Sequence, residues 1–468
     1  MSEAAPGKVQ RAVPLIIAAS FFIEELDASI ITTSLPQMAA DLGASPTRLS
    51  AAVTAYLLSV ALFLPVSGWL ADRFGALRVY CTSIVVFAAG SLLCGAATSY
   101  EMLLAGRVVQ GLGGALMTPV GRLIVVRSVA KDQLIVATNY MIAPALIGSM
   151  LGPVVGGFIT TYASWRWNFY LNIPVAMLGV LLALRLIKDD LPAAARSAFD
   201  WRGFVLLAAG LASLQIAVEM FGHNKSAAAR SVCLALFAVA AFAGYWLHAR
   251  RRRGALLDLG LLRVRTFAIT IFAGSFSRTA AGAIPFLLPL LFQLGFGLSP
   301  LESGMLTVAM ALGVLIMRAG VSLALRVFSM RALILGNTIL LAFLVAALTL
   351  LTPSTPHWAI FACLFVLGAV RSVNFSNLTA LSYADLTPDM TSGATTMVAL
   401  AGRFCACLGV GLAAALLAMF SNGRAVEQAD FNAAFVCVAA LFLASAIGLS
   451  RLRADDGWQL SGRSAPRS

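Results

Sequence analysis

The fold class this sequence predicts is an all-α polytopic membrane protein, built as two six-helix bundles with two additional transmembrane helices inserted between them. Three observations predict it. Of 468 residues, 60% are hydrophobic and only 11% charged, too little polar surface to cover a water-soluble globule. Apolar stretches near or above the roughly 20 residues that cross a bilayer recur from end to end. The polar breaks between them are short except at 188–202 ("KDDLPAAARSAFDWR") and 249–265 ("ARRRRGALLDLGLLRVR"), which divide the stretches into six, two and six.

The expected spans are 11–34, 50–70, 78–97, 101–128, 134–161, 165–187, 203–221, 230–248, 266–296, 300–326, 331–352, 357–380, 391–420 and 431–452. These make an N-terminal bundle over 11–187, linkers with the inserted pair over 188–265, and a C-terminal bundle over 266–453. The first span is not a cleaved signal peptide, because Glu24, Glu25 and Asp27 stand where an unbroken apolar core belongs. With the N-terminus in the cytoplasm and sides alternating, 22 Lys and Arg fall on cytoplasmic segments, 5 on external ones and 6 inside spans. That asymmetry orients the chain with both termini inside. It also accounts for the formal charge of +13 without a nucleic-acid partner, and for "HARRRRG" (248–254), which read alone is a nucleic-acid or anionic-lipid patch, as a cytoplasmic loop.

Within the first span, Ser20, Glu24, Asp27 and Ile31 share one helical face, whereas Glu25 is rotated by about 100°. Two carboxylates sharing a low-dielectric site repel each other's charge, which lets a proton bind and leave near neutral pH. Glu24, Glu25 and Asp27 are therefore the proton-coupling candidates. The second span ends in "GWLADRFGALR", where Gly75 permits a sharp reversal among Asp72, Arg73 and Arg78. On its own this loop reads equally as a generic basic cytoplasmic turn. In the fourth span Arg107 lies about 9 Å from the outer end, and Asp27 about 24 Å along the first, so the two could meet at similar depth. A static ion pair and a coupling pair both satisfy that geometry.

The fifth span contains "APALIGSMLGPVVGG" (143–157), a stretch in which a helix is expected despite four glycines and two prolines. Glycines at 148, 152 and 156 form a smooth strip along which a neighbouring backbone can approach, and Pro153 removes a hydrogen bond. Such a helix can slide and bend, or simply pack closely. The inserted spans hold one acid, Glu219, and are expected to pack outside the bundles. Arg122, Arg278, Arg318, Arg371 and Arg403 complete nine ionisable groups inside spans, each costing about 2.5–3.5 kcal/mol at mid-bilayer. Groups at such cost face a polar cavity or pair. Tyr56, Asn139, Arg278, Arg318 and Asn374 are the substrate-cavity candidates. Seven cysteines and three isolated histidines show neither metal-ligand nor disulfide spacing. No nucleophile with its base is present, so an enzyme is disfavoured; a channel would need an uninterrupted pore.

These motifs together resemble the major facilitator superfamily, and within it the fourteen-helix drug:proton antiporter branch. "GWLADRFGALR" is similar to the loop 2–3 signature at Gly68, Asp72, Arg73, Gly75 and Arg78. "LLAGRVVQGLGGALMTP" is similar to the span-4 signature at Arg107, Gln110 and Gly111, and "LDASIITTSLPQMAADL" to the span-1 signature at Asp27 and Pro36. Gly148, Gly152, Pro153, Gly156 and Gly157 match the antiporter signature G-x-x-x-G-P-x-x-G-G. "PVSGWLAD" and "YASWRWNFYLNIP" (162–174) strengthen the likeness to multidrug exporters of the bacterial inner membrane.

The resemblance implies an exporter working by alternating access, with substrate between related halves and the Asp72/Arg73 loop locking one state near Asp385. The proton would be the coupling ion, with no other cofactor and no metal, and the protein would act as a monomer in the lipid bilayer. Two departures qualify that picture: the loop "RVFSMR" (326–331) lacks the signature Asp and Gly, and Glu24 and Glu25 are outside the branch's span-1 pattern. The resemblance favours multidrug substrates. The six intramembrane arginines would instead suit an organic anion or a metal chelate, drawn to Arg278 and Arg318, whereas a cationic drug would be drawn to Glu24 and Glu25.

Overall fold

The structure, a computed structural model, describes residues 6–130, 133–187, 198–221, 225–252, 254–327, 329–453 and 456; the side chains of 6–11, 135, 225, 226 and 318–327 lie outside the description. Among the described residues there is no strand, and fourteen helices have bilayer-crossing length. In chain order they are α1 Pro6–Ile30, α2 Ser50–Phe74, α3 Ala76–Gly95, α4 Tyr100–Ser128, α5 Leu134–Tyr162, α6 Trp167–Leu186 and α7 Trp201–Met220. They continue with α8 Lys225–Arg251, α9 Arg265–Gly295, α10 Pro300–Val327, α11 Met330–Leu350, α12 His357–Tyr383, α13 Thr391–Ser421 and α14 Gln428–Leu449. Composition alone marks all but α1, whose second half carries three acids.

Local chemistry explains the boundaries. Gly75, at φ +90°, breaks α2 from α3 in a backbone region closed to most side chains. Ser99 caps α4 by accepting from the Met102 N–H at 3.2 Å, with Glu101 favourably placed in the first turn. Asn422 and Gly423, at φ +47° and +82°, close α13. A reciprocal capping box between Glu427 and Asp430 opens α14, and Arg424 reinforces it at 2.7 Å from Asp430. Pro285 and Pro289 in α9 precede a π turn at Leu291–Gly295.

The chain forms two compact units: Met1–Phe199 with Ser299–Gly304, and Asp200–Leu298 with Met305–Ser468. The first unit holds α1–α6. Its core gathers Ile17, Tyr80, Phe87, Met117 and Val120 from α1, α3 and α4. Away from that core, Trp165 donates to Asp41 at 2.8 Å, and Arg166 joins Asp41 at 3.2 Å to the Ala97 carbonyl at 3.0 Å. The stretch 162–174 is thus fastened to a short helix, Leu35–Asp41, and to the end of α3.

The glycine strip of α5 packs on α1. A Cβ at Gly148 or Gly156 would lie 2.5 Å from the Phe22 or Ile30 carbonyl oxygen, and one at Gly152 would collide with Ser29. Gly157 abuts the Pro300–Leu301 backbone, which groups with this unit. Small residues here let two helix backbones touch where any larger side chain would separate them.

The second unit holds α9, most of α10, α11–α14 and the inserted pair, whose α7 packs through Gln215 against Gly411 of α13. The pair therefore groups with the C-terminal helices, consistent with packing on the outside of a bundle.

Candidate functional site: a buried polar quartet around an acid of the first helix

The face of α1 predicted from helical spacing turns toward α3 and α4. Ser20 hydrogen-bonds Tyr80 of α3, and Glu24, one turn on, accepts from the hydroxyl of Thr118 in α4. Asp27, one further turn along, reaches Arg107. Glu25 is rotated away and only half-buried. The structure thus brings Glu24 and Asp27 onto one face and leaves Glu25 off it.

Asp27 is completely buried, at 0% exposure. Its Oδ2 accepts from Arg107 Nη1 at 2.8 Å, and its Oδ1 from Gln110 Nε2 and Asn172 Nδ2, both at 2.7 Å. Both amides also donate to Ser91 Oγ, at 2.7 and 3.2 Å, so each NH2 group uses two hydrogens. Arg107 completes the set: its Nε donates to the Ala52 carbonyl at 3.0 Å, its Nη1 also to Gln110 Oε1 at 2.6 Å, and its guanidinium lies 4.3 Å over the Tyr56 ring. Asp27, Arg107, Gln110 and Asn172 form a buried quartet, and with Ser91, Ala52 and Tyr56 around it five helices, α1, α2, α3, α4 and α6, contribute. A buried carboxylate meets the cost of losing water only with such a complete set of donors.

The other predicted residues are distributed as follows. Tyr56, 1% exposed, belongs to the quartet's wall through its ring. Gly111 sits so close to Tyr56 and Ser59 of α2 that a Cβ would lie 2.6 Å from the Tyr56 carbonyl oxygen. Asn139 stands apart, exposed on α5. Asp72 pairs with Arg127 of α4 at 3.1 Å, both partly exposed, while Arg73 lies 5.4 Å over Trp69. Gly68 has open space around it, Gly75 makes the turn, and Arg78 is exposed. Arg122 is exposed.

In the second unit, Asn374 joins α9 to α11: its Oδ1 accepts from Ser277 and its Nδ2 donates to Thr338, both at 2.9 Å. Arg278, 8% exposed, folds back along α9 so that Nη1 donates to the Thr270 carbonyl at 2.9 Å. Its Nη2 has no hydrogen-bond partner among the described residues. Arg371 reaches Met310 Sδ at 3.7 Å, Arg403 is half-buried, and the Arg318 side chain lies outside the described residues. All seven cysteines are free thiols, and no cluster of three metal-ligating side chains occurs among the described residues.

Sequence reasoning missed Asn172, Ser91 and Thr118. A lone Asn inside "YLNIP" was the available signal, since an unpaired amide in an apolar span demands a partner. It also missed Asp200, the N-cap of α7, which His248 and Arg252 approach at 2.8 and 3.3 Å.

A polytopic protein, all-helical among its described residues, with an Asp–Arg pair buried among its helices is built as membrane transporters are. The chain belongs to the Major Facilitator Superfamily, whose family model matches residues 17–414, and it is a transporter rather than an enzyme. It is similar to MdtD, a protein named for multidrug resistance: 39% identical to that of Pectobacterium atrosepticum over 87% of each chain, and 34% identical to that of Yersinia enterocolitica over 98% of each. Among solved structures it resembles a POT family transporter in complex with a thioalcohol-conjugated peptide, with a TM-score of 0.70 at 13% identity, covering 93% of this chain and 95% of that one. It also resembles a D-xylose–proton symporter, with a TM-score of 0.62 at 14% identity over 92% and 96%. At such identities the likeness is one of fold.

Proposed function

We infer that this transporter is a proton-coupled antiporter that exports small organic compounds, multidrug efflux among them, across the bacterial inner membrane by alternating access. It would work as a monomer with both termini in the cytoplasm and the proton as its only coupling ion. The observation that carries the reading is the contrast between two acids one turn apart. Asp27 meets only N–H donors, which complement a carboxylate. Glu24, 2% exposed, meets the Thr118 hydroxyl, a group that donates to a carboxylate or accepts from a carboxylic acid. In this reading Glu24 is the proton carrier, and Asp27 with Arg107 holds the helix face that presents it. Protonation shifts an equilibrium between two conformations only if it binds them unequally, and a buried Glu on a helix packed against a glycine strip supports the reading because movement along that strip would change its surroundings. The names of the MdtD relatives support multidrug substrates.

The test is uptake of a mixed cationic and anionic panel into proteoliposomes driven by a pH gradient alone. Transport by the wild type and its loss in Glu24→Gln support the reading. Gradient-driven accumulation that survives in Glu24→Gln and in the triple variant lacking Glu24, Glu25 and Asp27 refutes it. The buried guanidinium of Arg278, to which no described carboxylate bonds, favours a second reading in which the cargo is an organic anion or a metal chelate. Loss of anionic cargo alone in Arg278→Ala would select it.

A further inference from the structure

The inserted pair ends, at one side, in a patch that the transport reading does not use. Trp201 and Arg202 open α7, and Trp246, Arg250 and Arg251 close α8. The two ends are joined by Asp200, almost wholly buried, whose oxygens receive the Gly203 N–H at 3.1 Å, the Leu256 N–H at 3.3 Å, His248 at 2.8 Å and Arg252 at 3.3 Å. That one carboxylate is engaged by these contacts and balances Arg252. Arg202, Arg250 and Arg251 remain exposed beside it, and the remaining acid of this segment, Asp258, turns its Oδ1 to the Gly260 N–H at 2.8 Å.

The patch is also aromatic. Arg250 lies 3.5 Å over the ring of Trp246, which is 44% exposed, and Trp201 is 57% exposed. One turn further into α7 and about two turns further into α8, Val205 and Val239 are exposed as well. Guanidinium groups fit phosphate oxygens in a fork, indoles settle at the boundary between headgroup and hydrocarbon, and apolar side chains beyond them suit acyl tails. Free phosphate would use only the first of these three features. We propose that the basic end of the α7–α8 hairpin is a binding site for an anionic phospholipid, its phosphodiester held by Arg250, Arg251 and Arg202 and its glycerol region by Trp246 and Trp201. Juxtamembrane basic clusters attract anionic lipid by about fivefold in affinity per arginine.

The experiment is native mass spectrometry of the full chain in detergent, titrated with phosphatidylglycerol, phosphatidylcholine or inorganic phosphate. Phosphatidylglycerol should bind in preference to phosphatidylcholine, should not be displaced by millimolar phosphate, and should bind on the order of 25-fold more weakly to Arg250→Ala/Arg251→Ala. The double lysine variant, which keeps the charge but not the fork, should bind more weakly than the wild type and more tightly than the double alanine variant. Should the double alanine variant fail to fold, Arg202→Ala alone is expected to cost about fivefold. Equal binding of the two lipids, displacement by phosphate, or wild-type affinity in a folded alanine variant overturns the proposal.

Discussion

Replacing Arg107 by alanine is the sharpest perturbation of the buried quartet. It removes the guanidinium 2.8 Å from Asp27 and withdraws donors from the Ala52 carbonyl and Gln110 Oε1, while Gln110 and Asn172 still donate to Asp27. Breaking a buried pair from one side costs about 3–5 kcal/mol, because the surviving charge stays buried. The two backbone and amide acceptors left behind push the loss toward the upper end of that range. Asp27→Asn strands the cation instead and should cost about as much. Removing both charges, in Asp27→Asn/Arg107→Ala, leaves no buried charge unpaired and should recover about 2–3 kcal/mol relative to the sum of the single losses. Reversible unfolding of the purified protein in mixed SDS and detergent micelles, run as a double-mutant cycle, measures each term. A loss in Arg107→Ala below about 1 kcal/mol, or single losses that simply add, would refute the account of the quartet as a coupled, dehydrated pair.

Further outcomes follow from other contacts. Gly152→Leu drives a side chain into Ser29 on α1 and should cost about 1–3 kcal/mol or more in the same unfolding assay, whereas Gly68→Ala, with open space around it, should change little. Asp200 is buried, which raises its pKa, yet bonds from His248 and from the Gly203 and Leu256 N–H groups more than offset that and leave it below the ordinary 3.8. A depressed carboxylate contributes stability above its unfolded pKa and loses it as pH falls through the folded value. Hydrogen exchange at 256–263 should therefore stay slow from neutral pH down to about 5, accelerate below about 4, and be fast at neutral pH in Asp200→Asn. Thr118→Val removes the hydroxyl at Glu24 and should shift the pH dependence of gradient-driven transport, whereas Thr118→Ser should leave it near wild type.

Much of the fold was legible because transmembrane helices announce themselves by length and composition. The spans expected at 50–70, 101–128 and 391–420 lie within a few residues of α2, α4 and α13. The first span was legible for the opposite reason, since its acids break the apolar pattern while keeping a helical register. The shared face of Ser20, Glu24 and Asp27 came from that register, and the depth of Arg107 from helical rise alone. Asn172 and Ser91 did not come out, because Asn172 reaches Asp27 across 145 residues of chain through the packing of α6 on α1, and Ser91 joins only through the amides of Gln110 and Asn172. Arg278 was legible as an oddity but not in orientation: its return to Thr270 depends on Gly274, over which a Cβ would meet the guanidinium at 2.9 Å. The two inserted helices carried no pattern that told which bundle they accompany. Gly411, small enough to admit Gln215, settles it in three dimensions.

Asp200 has a practical corollary for protein engineering. Since a single side chain gathers atoms from the start of α7, from the close of α8 and from the loop beyond, it is a pin that holds the two ends of the inserted pair together. A twelve-helix miniature made by excising only α7 and α8 would strand half of that pin. A cleaner deletion would remove 200–258 as a block and splice Phe199, which keeps its own stacking on Trp69 at 5.1 Å, to Leu259 through a short flexible spacer.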